Sequence, residues 1–510
     1  MVIKNVISVW SGFLLSVVIM FIITPTMISK LGSERYGLWI FLMNFTGYYG
    51  LIDMGLRSGI TQSVTRRIAK NDRAGLVEFL SGIFPLVIKT ALGIVFVVGL
   101  IAVLLAISLK EPAVPRLELF NIILIQALTV GLTILLFPFE CVVSGCGRFD
   151  ISVGISVPMK ILSACCTWLV LHLSGNLLIL CLVFFGFNFA EQLLRCAAST
   201  WLVPELWDVR PKSDSKAKSE LYRVGGWTFV FQTSNTMLNS FNVMLLGWWF
   251  PLSNLVPYNL SNSVADYLSK ITTLASMVLF PEFVRVKHHF GISKTRELYY
   301  LCTRLSLAIA VAGLIGGWFW IEDFMGLWLR EVDGKDRFIP FIKSLFLIFG
   351  FINILRAIRA IGFQLLGSED QMEFMGRSAF REAAFAVPCA IQLCYFLGVT
   401  GLPLGNLFVL IASTIVFLMP KYANLLGEPY SRFALNTLAR PALYGMVSFI
   451  SVGILVRQVG AIDSWFLFLS RAFLPTLLIF LLLLPMTLTS SELKVILLRL
   501  GALIGFRQVR

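Results

Sequence analysis

Charged side chains set inside apolar segments are the residues of this sequence best able to do chemistry. Twelve bases lie there, namely Arg57, Lys89, Lys160, Arg195, Lys270, Arg304, Lys343, Arg356, Arg359, Arg377, Arg381 and Arg471. Seven acids accompany them: Asp53, Glu140, Glu191, Asp266, Glu282, Glu373 and Glu382. A charge at the centre of a bilayer costs about 2.5–3.5 kcal/mol on an insertion scale, so each should meet protein, water or a ligand rather than lipid. Asp53/Arg57, Glu191/Arg195, Asp266/Lys270 and Glu373/Arg377 are spaced i,i+4 and can neutralise each other on one helix face. The bases still outnumber the acids, and an anionic substrate is the simplest partner for the surplus. Asp53 and Asp266, each one turn from a base, are candidates for ion coupling. A carboxylate alternating between its neighbour and H⁺ or Na⁺ would report the occupancy of the site, whereas a permanent salt bridge would only fix the helix.

Polar rows accompany these charges. Gln232, Asn235, Asn239 and Asn242 recur at spacings of three, four and three, and Asn259, Asn262, Asp266 and Lys270 at three, four and four. Tyr49, Asp53, Arg57 and Thr61 are each four apart. Such spacing puts each set on one face of a helix. Interhelical hydrogen bonding could account for one such row; three suggest the wall of a shared cavity.

The elements that position these residues follow from composition. Of 510 residues, 57% are hydrophobic and 14% charged, where soluble domains carry about 25% charged residues. The apolar runs are long and continuous rather than alternating, which excludes a membrane barrel. They divide into fourteen predicted spans at about 5–29, 36–62, 77–108, 118–142, 150–172, 177–201, 223–250, 255–283, 297–320, 338–366, 371–397, 402–420, 437–457 and 464–488. The first reads as an uncleaved span rather than a secretory signal. Net charge is +14, and the excess sets orientation in a membrane rather than pointing to nucleic acid. With both termini inside, 22 Lys and Arg fall in the inner segments against 8 in the outer loops, as the positive-inside rule requires.

The most polar connection, residues 202–222, separates a six-helix lobe at 1–201 from a second at 223–420, leaving spans 13 and 14 and a basic tail at 421–510. Its Pro, Ser, Lys and Asp content predicts a flexible cytoplasmic tether. Tyr36 and Tyr258, and likewise Gly145 and Gly367, stand at matching places in the two halves with the same offset of 222, which suggests a parallel repeat about an axis along the membrane normal. The fold class is therefore an all-α polytopic membrane protein of about fourteen helices, with two pseudo-symmetric lobes around a central cavity plus two C-terminal helices.

Other motifs carry little. No GxxxxGK[ST] is present, and Gly145-Cys146-Gly147 lacks the context of a dinucleotide site. The nine cysteines read as small buried hydrophobes, and His172, His288 and His289 as surface residues rather than metal ligands. Gly313 and Gly317 form a GxxxG explained by helix packing alone. No catalytic residue, metal or cofactor is expected.

The stretches TPTMISKLGSERYGLW and GLIDMGLRSGITQSVTRRIAKND resemble the polysaccharide flippases of the multidrug/oligosaccharidyl-lipid/polysaccharide (MOP) superfamily, the Wzx-type O-antigen translocases in particular. The resemblance extends over the whole chain in topology and is concentrated in residues 1–75 in motifs. It implies a multi-pass protein of the bacterial inner membrane that turns an undecaprenyl-pyrophosphate-linked oligosaccharide, a lipopolysaccharide precursor, to the outer leaflet by alternating access. In the family's arrangement the first, second and fourth helices of each lobe line the cavity, which implies that Arg57, Lys270, Arg356 and Arg359 bind the pyrophosphate. Asn235, Asn239, Asn242 and Asn262 would bind sugar. Many members carry an Asp in span 7 where this chain has Asn242, a departure that weakens the carry-over of a coupling-ion role to that helix. Expected partners are the lipid-linked substrate, membrane lipids and polysaccharide-assembly proteins; the oligomeric state stays open. A cation-coupled drug or metabolite antiporter of the same superfamily would favour an acidic or apolar cavity. A membrane polymerase or ligase would need a sizeable outer domain, and the longest outer loop is about residues 321–337.

Overall fold

The computed structural model describes the backbone of residues 2–108, 114–212, 214–276, 279–489 and 492. Side chains are described for these except 2–9, 45–55, 58, 101–102, 104–108, 222–225, 239, 274–275 and 281. The helices are α1 (Val2–Ala69), α2 (Arg73–Ser108), α3 (Arg116–Gly145), α4 (Phe149–Leu173), α5 (Leu177–Leu202), α6 (Ser215–Trp249), α7 (Leu255–Ser276), α8 (Leu279–Trp328), α9 (Lys335–Ser368), α10 (Met372–Leu397), α11 (Gly401–Ser413), α12 (Met419–Leu425), α13 (Tyr430–Gln458), α14 (Trp465–Leu467) and α15 (Leu474–Leu483). No strand occurs among the described residues.

Glycine turns break the two longest helices, dividing α1 into two passes and setting the short start of α8 apart from its one long pass. Gly32 in α1 has φ 78° and Gly291 in α8 has φ 74°, a region that L side chains enter only at a cost. A π turn over Thr414–Leu418 joins α11 to α12, and another over Phe468–Phe473 joins α14 to α15. Fourteen passes result among the described residues, as the apolar runs predict. Among the described residues, ten stretches are long and apolar enough to cross a membrane. The remaining passes lie in α6 and α7, whose polar rows lower their hydropathy, and in the stretches Trp10–Asn44 and Met372–Leu425, each of which runs through a turn. The chain is a multi-pass membrane protein.

It packs as two compact units. The first comprises Met1–Val256 with Glu331–Asp333 and Ala379–Ala383; the second comprises Pro257–Arg330, Gly334–Ser378 and Ala384–Arg510. In the first, α1 packs along α3, α4 and α6, and α3 along α2 and α5. Ile60, Val64, Ile83, Val87, Ile122 and Phe137 form its fully buried interior. The sequence opens the second lobe with α6, but by contacts that helix lies with the first unit. There is no room for a side chain between α1 and α6 at Gly247, where a Cβ would fall 2.2 Å from the Phe41 ring.

The described residues of the tether predicted at 202–222 are held in place, contrary to its composition. A 3₁₀ turn at Pro204–Asp208 buries Leu206. Lys212 N–H donates to the Ser81 carbonyl at 3.0 Å and Arg210 N–H to the Ser81 hydroxyl at 3.2 Å. Asp214 caps α6 through the amides of Lys216 and Ala217. Two ion pairs complete the attachment, Arg73–Glu205 at 3.0 Å and Arg67–Glu220 at 2.9 Å. Backbone pairing and charge hold a segment whose apolar content alone is insufficient. The Arg67 guanidinium, seconded by the Ser63 hydroxyl, holds the Glu220 carboxyl down at about 2 from its ordinary 4.5. A carboxyl held low in the folded state adds stability above its unfolded value and loses it as pH falls from about 4.5 toward 2. Glu220→Gln removes this contribution at pH 7. Proteolysis within 202–222 should therefore be faster in Glu220→Gln than in the parent at pH 7, and that difference should narrow in acid with an acid-active protease.

In the second unit α8 packs against α9 and α13, and α11 against α9. A Cβ at Gly317 would lie 2.0 Å from the Phe346 ring, so the GxxxG serves close packing of α8 on α9. Just after the Gly291 turn of α8, Arg296 donates to the Leu426 carbonyl at 2.8 Å and pairs with Glu428 at 3.0 Å. Arg304, 4% exposed, donates to the Asn436 carbonyl at 2.9 Å and pairs with Glu492 at 3.1 Å.

Candidate functional site

The second unit gathers four charged residues onto two adjacent helices. Asp266 and Lys270 are one turn apart on α7, joined at 3.0 Å. The other Asp266 oxygen lies 3.6 Å from Arg356 on α9. Arg359 follows one turn later, 4% exposed, with its guanidinium 5.3 Å from the centre of the Phe363 ring. Asn353 ties the helices together, accepting from Arg356 at 3.5 Å and donating to the Ala265 carbonyl. Asn262, half-buried, continues the α7 row. Asp266 thus bridges Lys270 and Arg356 across facing helices, and Arg359 lies one turn further along α9. Of the cations that the resemblance assigns to pyrophosphate, Lys270, Arg356 and Arg359 meet here.

Arg57, on the second pass of α1 in the first unit, pairs with Glu140 of α3 at 2.8 Å, over the Phe137 ring. Glu140 also pairs with Arg195 of α5, which binds Glu191 at 2.5 Å. Two arginines and two glutamates on three helices form this network, with Glu140 and Arg195 12% and 13% exposed. The i,i+4 pairs Glu191/Arg195, Asp266/Lys270 and Glu373/Arg377 all form. The side chain of Asp53, and with it the fourth pair, lies outside the described residues.

Beside the network is a cavity of about 390 Å³ within the first unit, lined by Ser16, Thr24, Trp39, Lys160, Asn188 and Glu191 among others. Lys160 donates to the Ser16 hydroxyl there at 3.3 Å. Lys89 is exposed. Of the α6 row, Asn235 donates to the Phe231 carbonyl at 2.8 Å and Asn242 is buried at 2% exposure, while the side chain of Asn239 lies outside the described residues. The sugar candidates therefore divide between the units, Asn235 and Asn242 in the first and Asn262 in the second.

Sequence reasoning missed Asn353, the partnership of Arg57 with Glu140, and the cavity. Lys160, Asn188 and Glu191 in neighbouring apolar spans were the available signal for the last. Nothing in spacing links residues 57, 140 and 195.

A family model described as polysaccharide biosynthesis protein matches residues 31–322. No curated protein matches the chain by sequence. Among solved structures, the lipid II flippase MurJ in an inward closed conformation superposes with a TM-score of 0.68 at 10% identity, covering 95% of this chain and 98% of that one. An inward-facing multidrug resistance MATE family transporter of the MOP superfamily gives 0.67 at 12% identity, over 80% and 94%. A MOP superfamily transporter from Pyrococcus furiosus Vc1 (DSM3638) gives 0.54 at 13% identity, over 82% and 96%. At these identities the likeness is one of fold. With more than half of its length matched by the family model, the chain belongs to the polysaccharide biosynthesis protein family and has the fold of MOP-superfamily transporters.

Proposed function

We propose that the chain is a flippase that carries an undecaprenyl-pyrophosphate-linked oligosaccharide, such as an O-antigen repeat unit, from the cytoplasmic to the periplasmic leaflet of a bacterial inner membrane by alternating access. The observation that carries this reading is the cluster of Lys270, Arg356 and Arg359 on α7 and α9. A pyrophosphate is a compact, multiply charged anion, and guanidinium forks bind its oxygens through paired N–H donors. An amphiphile also needs apolar surface. In the same unit Val264 and Leu268 of α7, with Gly313, Gly316, Phe346 and Phe480, line an apolar groove of about 470 Å³. Amides such as Asn262 suit sugar hydroxyls. The charge asymmetry of the connections supports cytoplasmic termini. With no nucleotide motif, movement would draw on precursor gradients, membrane potential, or H⁺ or Na⁺, with Asp53 and Asp266 as the coupling candidates. A drug antiporter taking cations fits a site of three bases less well.

The test is reconstitution into vesicles with a fluorescent undecaprenyl-pyrophosphate disaccharide, its leaflet read by membrane-impermeant quenching. The protein should speed exchange between leaflets well beyond that of protein-free vesicles. Exchange at the protein-free rate, from vesicles in which a cationic dye is transported, would overturn the reading in favour of the antiporter.

A further inference from the structure

The cation cluster of the second unit already holds an anion. Asp266 divides its two oxygens between two bases on two helices, Oδ2 to Lys270 at 3.0 Å and Oδ1 to Arg356 at 3.6 Å. A phosphate group would engage the same pair in the same way, one oxygen to each. None of the three side chains is sealed: Asp266 is 38% exposed, Lys270 50% and Arg356 29%. Ion pairs this open to their surroundings are weakly held and exchange readily. Asn353 keeps the helices in register independently, since its amide binds the backbone of α7 at Ala265. The bridge through Asp266 is therefore not needed to join α7 to α9.

We propose, on the reading that this cluster binds a diphosphate, that Asp266 is an intramolecular stand-in for that group. While the site is empty its carboxylate keeps Lys270 and Arg356 aligned and prevents mutual repulsion of the two cations. An arriving diphosphate repels the carboxylate and takes both partners, and Asp266 swings aside. When the substrate leaves, the carboxylate returns and competes against rebinding. Asp266 is thus a positioning residue that sets how tightly the anion is retained. A transporter benefits from such a competitor, because an anion bound too tightly is not released on the far side.

The experiment uses the full chain in lipid nanodiscs with farnesyl diphosphate as the probe and calorimetry as the readout, at one fixed pH. Removing the competitor with Asp266→Asn should tighten binding about two- to fivefold, the scale of a partly exposed ion pair. Asp266→Glu, which keeps the carboxylate, should bind like the parent. Lys270→Gln and Arg356→Gln should both bind more weakly. Unchanged or weaker binding in folded Asp266→Asn, with weakening in the two cation variants, would overturn the stand-in and leave the anion site standing. Parent-like binding in both cation variants would overturn the site itself. A measurement on the unaltered protein covers failure of Asp266→Asn to fold. Infrared difference spectra with ¹³C-labelled aspartate should show a carboxylate stretch that shifts when farnesyl diphosphate is added and is absent from Asp266→Glu. No such shift would equally overturn the proposal.

Discussion

Replacing Glu140 with Gln should cost the protein about 3–5 kcal/mol of stability, the usual result of removing one partner from a buried ion pair. Glu140 is 12% exposed and serves Arg57 and Arg195 at once. Without it two guanidiniums would share the remaining Glu191, which bonds Arg195 at 2.5 Å. Arg195, 13% exposed, is not free to reach water readily, and like charges would then face each other across α1 and α5. Glu140→Asp keeps the charge but shortens the reach, so it should lie between the parent and Glu140→Gln. The double change Glu140→Gln with Arg195→Gln removes one charge of each sign and should recover part of the loss, because residues in one network do not contribute additively. Thermal unfolding of the purified chain in detergent measures all three. A parent-like melting temperature for Glu140→Gln would show that the network is not structural, and its charges would then be available to a ligand in the adjoining cavity.

The same residues show where sequence reading succeeds and where it stops. Span positions were legible because a bilayer demands about 20 apolar residues per pass. The predicted spans lie within the helical segments to within a residue at their ends, except that 255–283 runs from α7 into α8 across residues 277–278, which lie outside the described residues. The i,i+4 partners Glu191/Arg195 and Asp266/Lys270 were legible because helix geometry fixes their distance without tertiary information. Polar rows on α6 and α7 were legible for the same reason, and they are what lowers those helices below the hydropathy of a typical span. Contacts between helices were not legible. Arg57 has an acid one turn away at Asp53, yet its described partner is Glu140, more than eighty residues later and on another helix. Asn353, the residue that joins α7 to α9, stands one turn before Arg356, but nothing in the sequence shows that it reaches the Ala265 carbonyl of another helix. The segment 202–222 misled through composition. Its Lys, Ser and Asp content suits a solvated chain, but order came from capping by Asp214 and from hydrogen bonds to Ser81, which composition does not report.

Simultaneous replacement of Lys270 and Arg356 by Ala should abolish export of the surface polysaccharide while the protein still accumulates in the membrane. Each charge-assisted hydrogen bond to a phosphate contributes about 1.5–3 kcal/mol, so losing both should weaken retention of the diphosphate by roughly a hundredfold to ten-thousandfold. The loss should be selective for function, since the two side chains are 50% and 29% exposed and Asn353 still holds the helices together. Asp266 would be left without its two bases in that variant, so the triple change adding Asp266→Asn is the proper control. It should be as inactive as the double variant, which locates the defect in the missing cations rather than in a stranded carboxylate. Arg356→Lys should retain part of the activity, because an ammonium keeps the charge but lacks the paired donors. Arg57→Ala should behave differently. The sequence ranks it with Lys270, but its guanidinium is tied to Glu140, so its removal should lower the amount of folded protein before it touches substrate binding. Blotting for protein level beside surface-polysaccharide staining separates the two effects. Parent-like export by the Lys270→Ala/Arg356→Ala variant at normal protein levels would remove the α7–α9 cluster from the transport pathway.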